Sequence, residues 1–202
     1  MTVNGWLYRT FRAPQTGIVR VQLGPGRNNY LQGWINLDAN MFTGRCDAWV
    51  DLRNRLPFTS NSIDAFYSHH VVEHLPDLHF HFKDVFRCLK PGGVYRIGGP
   101  NGDAAIHKFL EGDKDWFGDF PEKRKSIGGK LVNFIFCKQE HLTILTYSFL
   151  EELLTDAGFT EVKKHLPVRD TGYPELFSSC LEVESENTFA CPHTLILEAK
   201  KT

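Results

Sequence analysis

Short apolar segments alternate with helical patterns along much of the chain, and this alternation most constrains its fold. The segments are rich in β-branched and aromatic residues and end at Gly, Pro, Asp or Ser, which is typical of strands. They cover residues 18–23, 34–38, 48–52, 62–68, 93–98, 160–165 and 194–200. Strands that alternate with helices predict an α/β fold, in which crossover helices connect the strands of a parallel sheet.

Apolar residues at helical spacing predict a helix between the fourth and fifth of these strands. This helix should begin near Asp77 and end at Pro91-Gly92-Gly93. His79 and His81 lie off its apolar stripe, so we expect both side chains to be exposed.

A second helix is predicted nearer the C-terminus by a capping box. Ser148 is the expected N-cap and Glu151 occupies the third helical position, while Gly158 is expected to close the helix.

Residues 101–147 do not follow the alternation of strands and helices. Because so long a segment is seldom bare loop, we predict a small helical cap, inserted at about 101–147 into a single domain that spans 1–202. The cap would cover the carboxyl edge of the sheet, where ligands bind in open α/β folds. Ordinary helices packed on the sheet are the alternative. The basic run Lys123-Arg124-Lys125 is expected to be a solvated face, or else to meet an anionic substrate.

Composition and charge exclude several classes of partner. The 202 residues include 23 Lys+Arg and 24 Asp+Glu, a balance that gives no field to hold nucleic acid or an anionic membrane. The longest apolar runs are too short for a membrane span, and residues 1–6 lack the layout of a signal peptide. Five scattered cysteines suit a reducing compartment. We therefore expect a cytoplasmic protein that acts on a small molecule; the sequence specifies no oligomeric state.

A glycine turn, Gly24-Pro25-Gly26, follows the first predicted strand and lets the backbone approach a ligand closely. A dinucleotide fingerprint would need a glycine where Asn29 stands. Asp38 and Asp51 lie at the ends of the second and third strands, where carboxylates can accept hydrogen bonds from a ribose diol and an adenine amino group, respectively. Alternatively, both aspartates are ordinary turn residues at strand ends, with no ligand to bind. Only 11 residues separate Gly26 from Asp38, so the first crossover helix must be very short.

Taken in order, these segments resemble a class I S-adenosylmethionine (SAM) dependent methyltransferase of the small bacterial branch related to the type-11 methyltransferase domain. The resemblance covers about residues 18–100 and 140–165 and does not extend to the cap. The segments that carry it are Val21-Gln22-Leu23-Gly24-Pro25-Gly26, Trp34-Ile35-Asn36-Leu37-Asp38, Leu56-Pro57-Phe58, Ile63-Asp64, His70-Val71-Val72-Glu73-His74-Leu75, Leu89-Lys90-Pro91-Gly92-Gly93, Phe149-Leu150-Glu151-Glu152-Leu153-Leu154 and Ala157-Gly158-Phe159.

The resemblance implies a Rossmann-like sheet of seven mostly parallel strands, with the last strand antiparallel, helices on both faces, and SAM across the carboxyl ends of the first strands. The glycines would pass the methionine part, the carboxylate after the second strand would hold the ribose, and the fourth strand would end at the sulfonium. The glycine loop departs from the family because it lacks a third glycine. The implied cofactor-binding residues are Gly24, Pro25, Gly26, Asp38, Ala39, Asp51, Leu52, Ser68 and His69.

Residues 70–74, His-Val-Val-Glu-His, match the H-x-x-E-H pattern of inverted zincins. On a helix, His70, Glu73 and His74 would share one face. A protease is disfavoured, because the segment follows a buried type of strand and lies within the resemblance to methyltransferases. We expect a metal-free site in which Glu73 and His74 anchor the start of a helix. The alternative is a divalent-metal site completed by His141, whose histidines would favour Zn²⁺, Mn²⁺ or Fe²⁺ over Mg²⁺.

The candidate catalytic residues are His70, Glu73 and His141. Methyl transfer is an in-line displacement, so the protein mainly aligns and dehydrates the acceptor. If the acceptor must lose a proton, His70 or His141 is the expected base, since an ordinary histidine titrates near pH 6.5.

The function that follows is SAM-dependent transfer of a methyl group to a small molecule, in the form of O-methylation of a sugar or secondary metabolite. A nicotinamide-dependent oxidoreductase and a non-catalytic accessory protein with the same fold are the alternatives. Phe109, Trp116 and Tyr147 are candidates to pack the acceptor, although core packing would equally explain them.

Overall fold

Seven strands and five α-helices form the part of the chain that the computed structural model describes, which is residues 17–40, 42 and 44–202. Residues 1–6, whose layout argued against a signal peptide, lie outside that part. The strands are β1 (Arg20–Leu23), β2 (Ile35–Asp38), β3 (Ala48–Trp49), β4 (Ile63–His69), β5 (Leu89–Pro100), β6 (Thr160–His165) and β7 (Thr194–Lys200). The helices are α1 (Leu78–Cys88), α2 (Gly102–Glu111), α3 (Ile127–Phe136), α4 (Tyr147–Ala157) and α5 (Pro174–Leu181).

The strands form one sheet in the order β3-β2-β1-β4-β5-β7-β6. Neighbouring strands from β3 to β5 are parallel, and β7 is antiparallel to both β5 and β6. The predicted mostly parallel seven-stranded sheet is therefore confirmed. In register, Leu23 pairs with Leu37 on one side and with Ser68 on the other. The carboxyl ends of β1, β2 and β4 consequently meet at one edge.

Apolar clusters cover both faces of the sheet. The larger cluster lies beneath α1 and α4 and includes the fully buried Phe66, Phe82 and Tyr95. On the opposite face, Trp34 and Phe177 pack against β4, and Phe177 is a residue of α5. Complete burial of a side chain as large as Phe82 stabilises the fold by about 1.5–3 kcal/mol.

A turn without any helix connects β1 to β2, across residues 24–34. The Asn36 side chain holds this connection, because its amide donates hydrogen bonds to the carbonyls of Leu31 and Trp34, at 3.0 and 2.9 Å. The first crossover is therefore even shorter than expected, since a very short helix was predicted and residues 24–34 contain none.

Helix α1 begins as predicted, with the Asp77 side chain accepting a hydrogen bond from the amide of Phe80 at 2.9 Å. His79 is exposed, as expected, but His81 is 2% exposed, so that prediction is wrong. The ring of His81 reaches the Tyr95 hydroxyl, with Nε2 at 3.3 Å. A hydrogen-bonding partner on the sheet therefore lets a polar side chain lie on the buried face of the helix.

The predicted N-cap of α4 is also wrong. Thr146 caps the helix, its hydroxyl accepting from the amide of Phe149 at 3.4 Å, and Ser148 lies exposed inside the first turn. The carboxylate of Asp103 accepts a hydrogen bond from the amide of Tyr147, so a long-range contact helps to start the helix earlier. Gly158 ends the helix as predicted, with φ +107°.

Helices α2 and α3 pack together around a cluster of their own, outside the core of the sheet. The cluster contains Trp116 and Phe117, with Phe109 and Phe134 at its border.

The basic run at 123–125 is exposed, as expected of a solvated face. No helix among the described residues is long and apolar enough to cross a membrane.

Candidate functional site

The glycine turn is joined to the end of β2 by the Asp38 carboxylate. Gly24 and Gly26 have φ of +67° and +57°, conformations that favour glycine. The amide of Gly26 donates to Asp38 Oδ2 at 2.9 Å, and the amide of Asn40 donates to Oδ1 at 2.8 Å. Asp38 is 8% exposed. Because a carboxylate oxygen can accept more than one hydrogen bond, Asp38 retains capacity to bind a ligand hydroxyl.

Asp51 and Leu52 follow β3 at the same edge of the sheet. The guanidinium of Arg53 donates to Asp51 from Nε at 2.9 Å and from Nη2 at 2.8 Å. These hydrogen bonds lower the pKa of Asp51, so its carboxylate is charged at neutral pH. Leu52 is buried, whereas Ala39, after β2, is exposed.

Ser68 and His69 end β4 with their side chains in different surroundings. The Ser68 hydroxyl is fully buried, 2.8 Å from that of Tyr95, so it is held inside the fold. His69 is partly buried, and its Nδ1 has no hydrogen-bond partner among the described residues. Burial, with smaller contributions from the charges of His70 and Arg96, lowers the pKa of His69 to about 3. His69 is therefore neutral at physiological pH.

Residues 70–74 do not form an α-helix, so the prediction that His70, Glu73 and His74 share one helical face is wrong. His70 has φ +54°, and only Val72–His74 form a 3₁₀ turn. The amide of His70 donates to the carbonyl of Gly98 at 2.8 Å, which ties the segment to β5 before the turn begins.

Glu73 is fully buried beside this turn. Its Oε1 lies 3.2 Å from Nδ1 of His70, whose side chain is 48% exposed. Its Oε2 has no hydrogen-bond partner within the described part of the chain. The backbone carbonyl of Glu73 accepts a hydrogen bond from the amide of Leu142, which brings the segment around His141 to the same place.

His74 and His141 lie side by side, with ring centroids 4.9 Å apart. Nδ1 of His74 is 2.9 Å from the carbonyl of Glu140, and Nδ1 of His141 is 3.0 Å from that of Ile135. Since a carbonyl can only accept, each Nδ1 is the protonated nitrogen, and each Nε2 keeps its lone pair when the ring is neutral. Burial lowers the pKa of His141.

A cavity of about 640 Å³ lies between the sheet edge and residues 120–141. Its wall on the sheet side includes His70, Glu73, Pro100 and Thr194, and its other wall includes Phe120, Asn133, Phe134 and His141. The three candidate catalytic residues are thus brought together at one cavity. Asn133 and His193 also line it, although no local pattern in the sequence singled them out.

The three aromatic candidates for packing the acceptor do not line this cavity. Trp116 and Phe109 belong to the cluster between α2 and α3. The Tyr147 hydroxyl donates to Glu151 at 2.7 Å. Packing within the fold therefore accounts for all three residues.

Residues 46–97 match a protein family described as Methyltransferase domain. The sterol 24-C-methyltransferase of Aspergillus fumigatus is 44% identical over 43 residues, which cover 21% of this chain and 11% of that relative. The similarity to this curated relative thus extends over only about a tenth of its length.

Solved structures share the fold over nearly the whole chain. A SAM-dependent methyltransferase from Thermotoga maritima superposes with a TM-score of 0.58 at 15% identity, covering 99% of this chain and 89% of that one. A SAM-dependent methyltransferase from Archaeoglobus fulgidus gives 0.56 at 17% identity, covering 98% and 93%. At sequence identities this low, the two superpositions establish only that the fold is shared.

Proposed function

We propose that this chain, whose residues 46–97 match the Methyltransferase domain family and whose fold is shared with SAM-dependent methyltransferases, transfers the methyl group of SAM to a hydroxyl oxygen of a small molecule, such as a sugar or secondary metabolite. The observation that carries the proposal is a histidine held by a buried carboxylate in the wall of a ligand-sized cavity. That cavity adjoins the end of β4, beside the edge of the sheet that carries the proposed cofactor-binding residues.

The residues at the sheet edge fit SAM. Asp38 retains acceptor capacity for the ribose hydroxyls, and Gly26 leaves open space, since a Cβ there would meet no atom within 4 Å. Asp51 and Leu52 present a charged acceptor and an apolar side chain for the adenine. When bound, SAM supplies a methyl group on a cationic sulfonium. We propose that the backbone at Gly24 and at the end of β4 lies beside that group.

His70 is the proposed base. Glu73 Oε1 fixes Nδ1 of His70, which leaves Nε2 to take the proton that an acceptor hydroxyl loses as its oxygen is methylated. The buried carboxylate orients the ring and stabilises the imidazolium that forms. His141 would be a weaker base at this cavity, because burial lowers its pKa.

Calorimetric titration with S-adenosylhomocysteine tests the cofactor, with NADH as the competing ligand. We expect binding of S-adenosylhomocysteine that Asp38→Asn weakens and that Asp156→Asn, a matched change at an exposed acid in α4, leaves unchanged. Binding of NADH instead would point to an oxidoreductase and overturn the proposal.

Transfer is tested with methyl-labelled SAM and a panel of sugars and phenols. We expect His70→Gln to lower turnover while binding of S-adenosylhomocysteine persists. A protein that binds the cofactor product yet labels no acceptor in the panel would favour the accessory role.

A further inference from the structure

We propose that Glu73, His74 and His141 form a site for one divalent transition-metal ion, best suited to Zn²⁺, in the wall of the cavity. Each of the three offers a ligand atom, and these atoms lie within 4.8 Å of one another. His70, the proposed base, is not a member of this set. The site does not depend on the proposed methyl transfer, because the ion would bind to the protein alone.

The two imidazoles are already oriented as metal ligands are in proteins. A metal-binding histidine usually donates its second ring N–H to a carbonyl or carboxylate, which fixes the tautomer and the ring orientation. Here the carbonyls of Glu140 and Ile135 accept from Nδ1 of His74 and His141. Both Nε2 atoms therefore carry the lone pair that a metal would need.

The Glu73 carboxylate supplies the independent indication of a cation. It is 0% exposed, and Oε2 has no hydrogen-bond partner among the described residues. A buried carboxylate is costly unless its charge is compensated, and His70 meets only Oε1. An ion bound to Oε2 and the two imidazoles would compensate this charge where the protein itself does not.

Two histidines and one carboxylate make up the donor set of one class of catalytic zinc site, in which one position stays open. Zinc bonds of about 2.0–2.2 Å place tetrahedral ligand atoms roughly 3.3–3.6 Å apart, so the side chains must draw together by up to about 1.5 Å. The side chain of His74 is exposed and has room to turn. Because all three residues line the cavity, the open position would face it and take water or an oxygen donor of a bound small molecule.

Zinc binding to the chelator-treated full chain tests the proposal. We expect calorimetry with Zn²⁺ alone to give one ion per chain, and elemental analysis after dialysis to give the same ratio. A chain that takes up less than about a tenth of an equivalent of Zn²⁺ would overturn the site.

Two near-isosteric variants locate the ion. Glu73→Gln and His141→Gln should each weaken Zn²⁺ binding by at least about 100-fold, more than the usual loss on removing an outer-shell partner. His79→Gln, at an exposed histidine outside the cavity, should bind as the unmodified chain does. Equal Zn²⁺ affinity in all three variants would overturn the assignment, and circular dichroism on the same samples establishes that they are folded.

S-adenosylhomocysteine binding on these preparations separates the two proposals. Failure to bind Zn²⁺ with S-adenosylhomocysteine binding intact rejects only the metal site. Zinc binding without S-adenosylhomocysteine binding rejects only the proposed function.

Discussion

Gly24 and Val71 are in direct contact, because a Cβ atom on Gly24 would lie only 2.5 Å from Val71 Cγ2. This contact joins the glycine turn after β1 to the segment that carries His70 and Glu73. The positive φ of Gly24, +67°, independently disfavours a side chain at the same position. The glycine turn and the segment that contributes to the cavity wall are thus packed against each other.

Gly24→Ala should be strongly destabilising. The left-handed backbone costs an alanine about 1–2 kcal/mol, and overpacking against Val71 adds about 1–3 kcal/mol. Urea unfolding measures the sum, and calorimetry should show that S-adenosylhomocysteine binding is lost.

Gly92→Ala is the matched control, because Gly92 has φ +82° but no atom within 4 Å of an added Cβ. Gly92→Ala should lower the free energy of unfolding only by the cost of placing an alanine in the left-handed backbone conformation. Equal losses of stability in Gly24→Ala and Gly92→Ala would mean that the contact with Val71 does not contribute to the effect.

Stability should fall as the pH drops below 6.5, in part because of His81. Burial lowers the pKa of His81 to about 4 in the folded protein. Above pH 6.5 the ring is neutral in both the folded and unfolded states, so the protonation of His81 does not change the free energy of unfolding. Between pH 6.5 and 4 only the unfolded chain takes up the proton, which favours unfolding by about 2 kcal/mol at pH 5.

His81→Gln tests this contribution by urea unfolding at pH 7, 6 and 5. The variant should lose less stability than the unmodified chain over that range, whatever its stability at pH 7. His79→Gln should keep the full dependence, because His79 is exposed. Identical slopes for the unmodified chain and His81→Gln would contradict the assignment.

A buried ion cluster stabilises the centre of the sheet. Arg96, 0% exposed, donates to Glu184 at 2.8 and 2.9 Å and to Glu198 at 2.7 Å. Arg96→Met would leave two buried carboxylates without their cation and should cost about 3–5 kcal/mol. Chemical denaturation measures the loss.

Lys123→Met serves as the control for a surface pair, since Lys123 is 81% exposed and lies 3.9 Å from Asp119. The expected cost of Lys123→Met is below about 1 kcal/mol.

Adding Glu184→Gln and Glu198→Gln to Arg96→Met should restore part of the stability. A triple variant no more stable than Arg96→Met would argue against uncompensated charge as the cause.

Trp116 links the helices above the cavity to the loop before β7. Its indole N–H donates to the carbonyl of Cys191 at 2.8 Å, and its ring stacks on His193 at 4.3 Å. Trp116→Phe should cost about 1–3 kcal/mol through the unpaired carbonyl. Hydrogen exchange should become faster in α2 and α3.

Trp34→Phe is the matched control, because Trp34 donates to Ser179 on the opposite side of the sheet. Faster exchange should then appear in α5 instead. If both variants loosen the same helices, the link between Trp116 and the cavity wall is wrong.

Local signals predicted much of this fold. Asp77 caps α1 and Gly158 ends α4 as expected, because a cap depends on a few neighbouring residues. The turn at Gly24 and the acid at Asp38 lie at one edge, since parallel strands place their carboxyl ends together. Two expectations about helices failed because of contacts with other elements: Tyr95 accommodates His81, and Asp103 helps to set the start of α4.

The sequence by itself determined the alternation of strands and helices, the glycine turn and the residue types at the site. Only the tertiary structure decided that residues 70–74 leave the helical conformation and that His141 lies against His74. Strand alternation, positive φ and helix caps act over a few residues, so a local pattern can reveal them. The approach of His74 to His141 depends on two contacts between distant segments, the hydrogen bond from the amide of Leu142 to the carbonyl of Glu73 and that from His74 to the carbonyl of Glu140. No local pattern records these contacts, because their partners meet only in the folded chain.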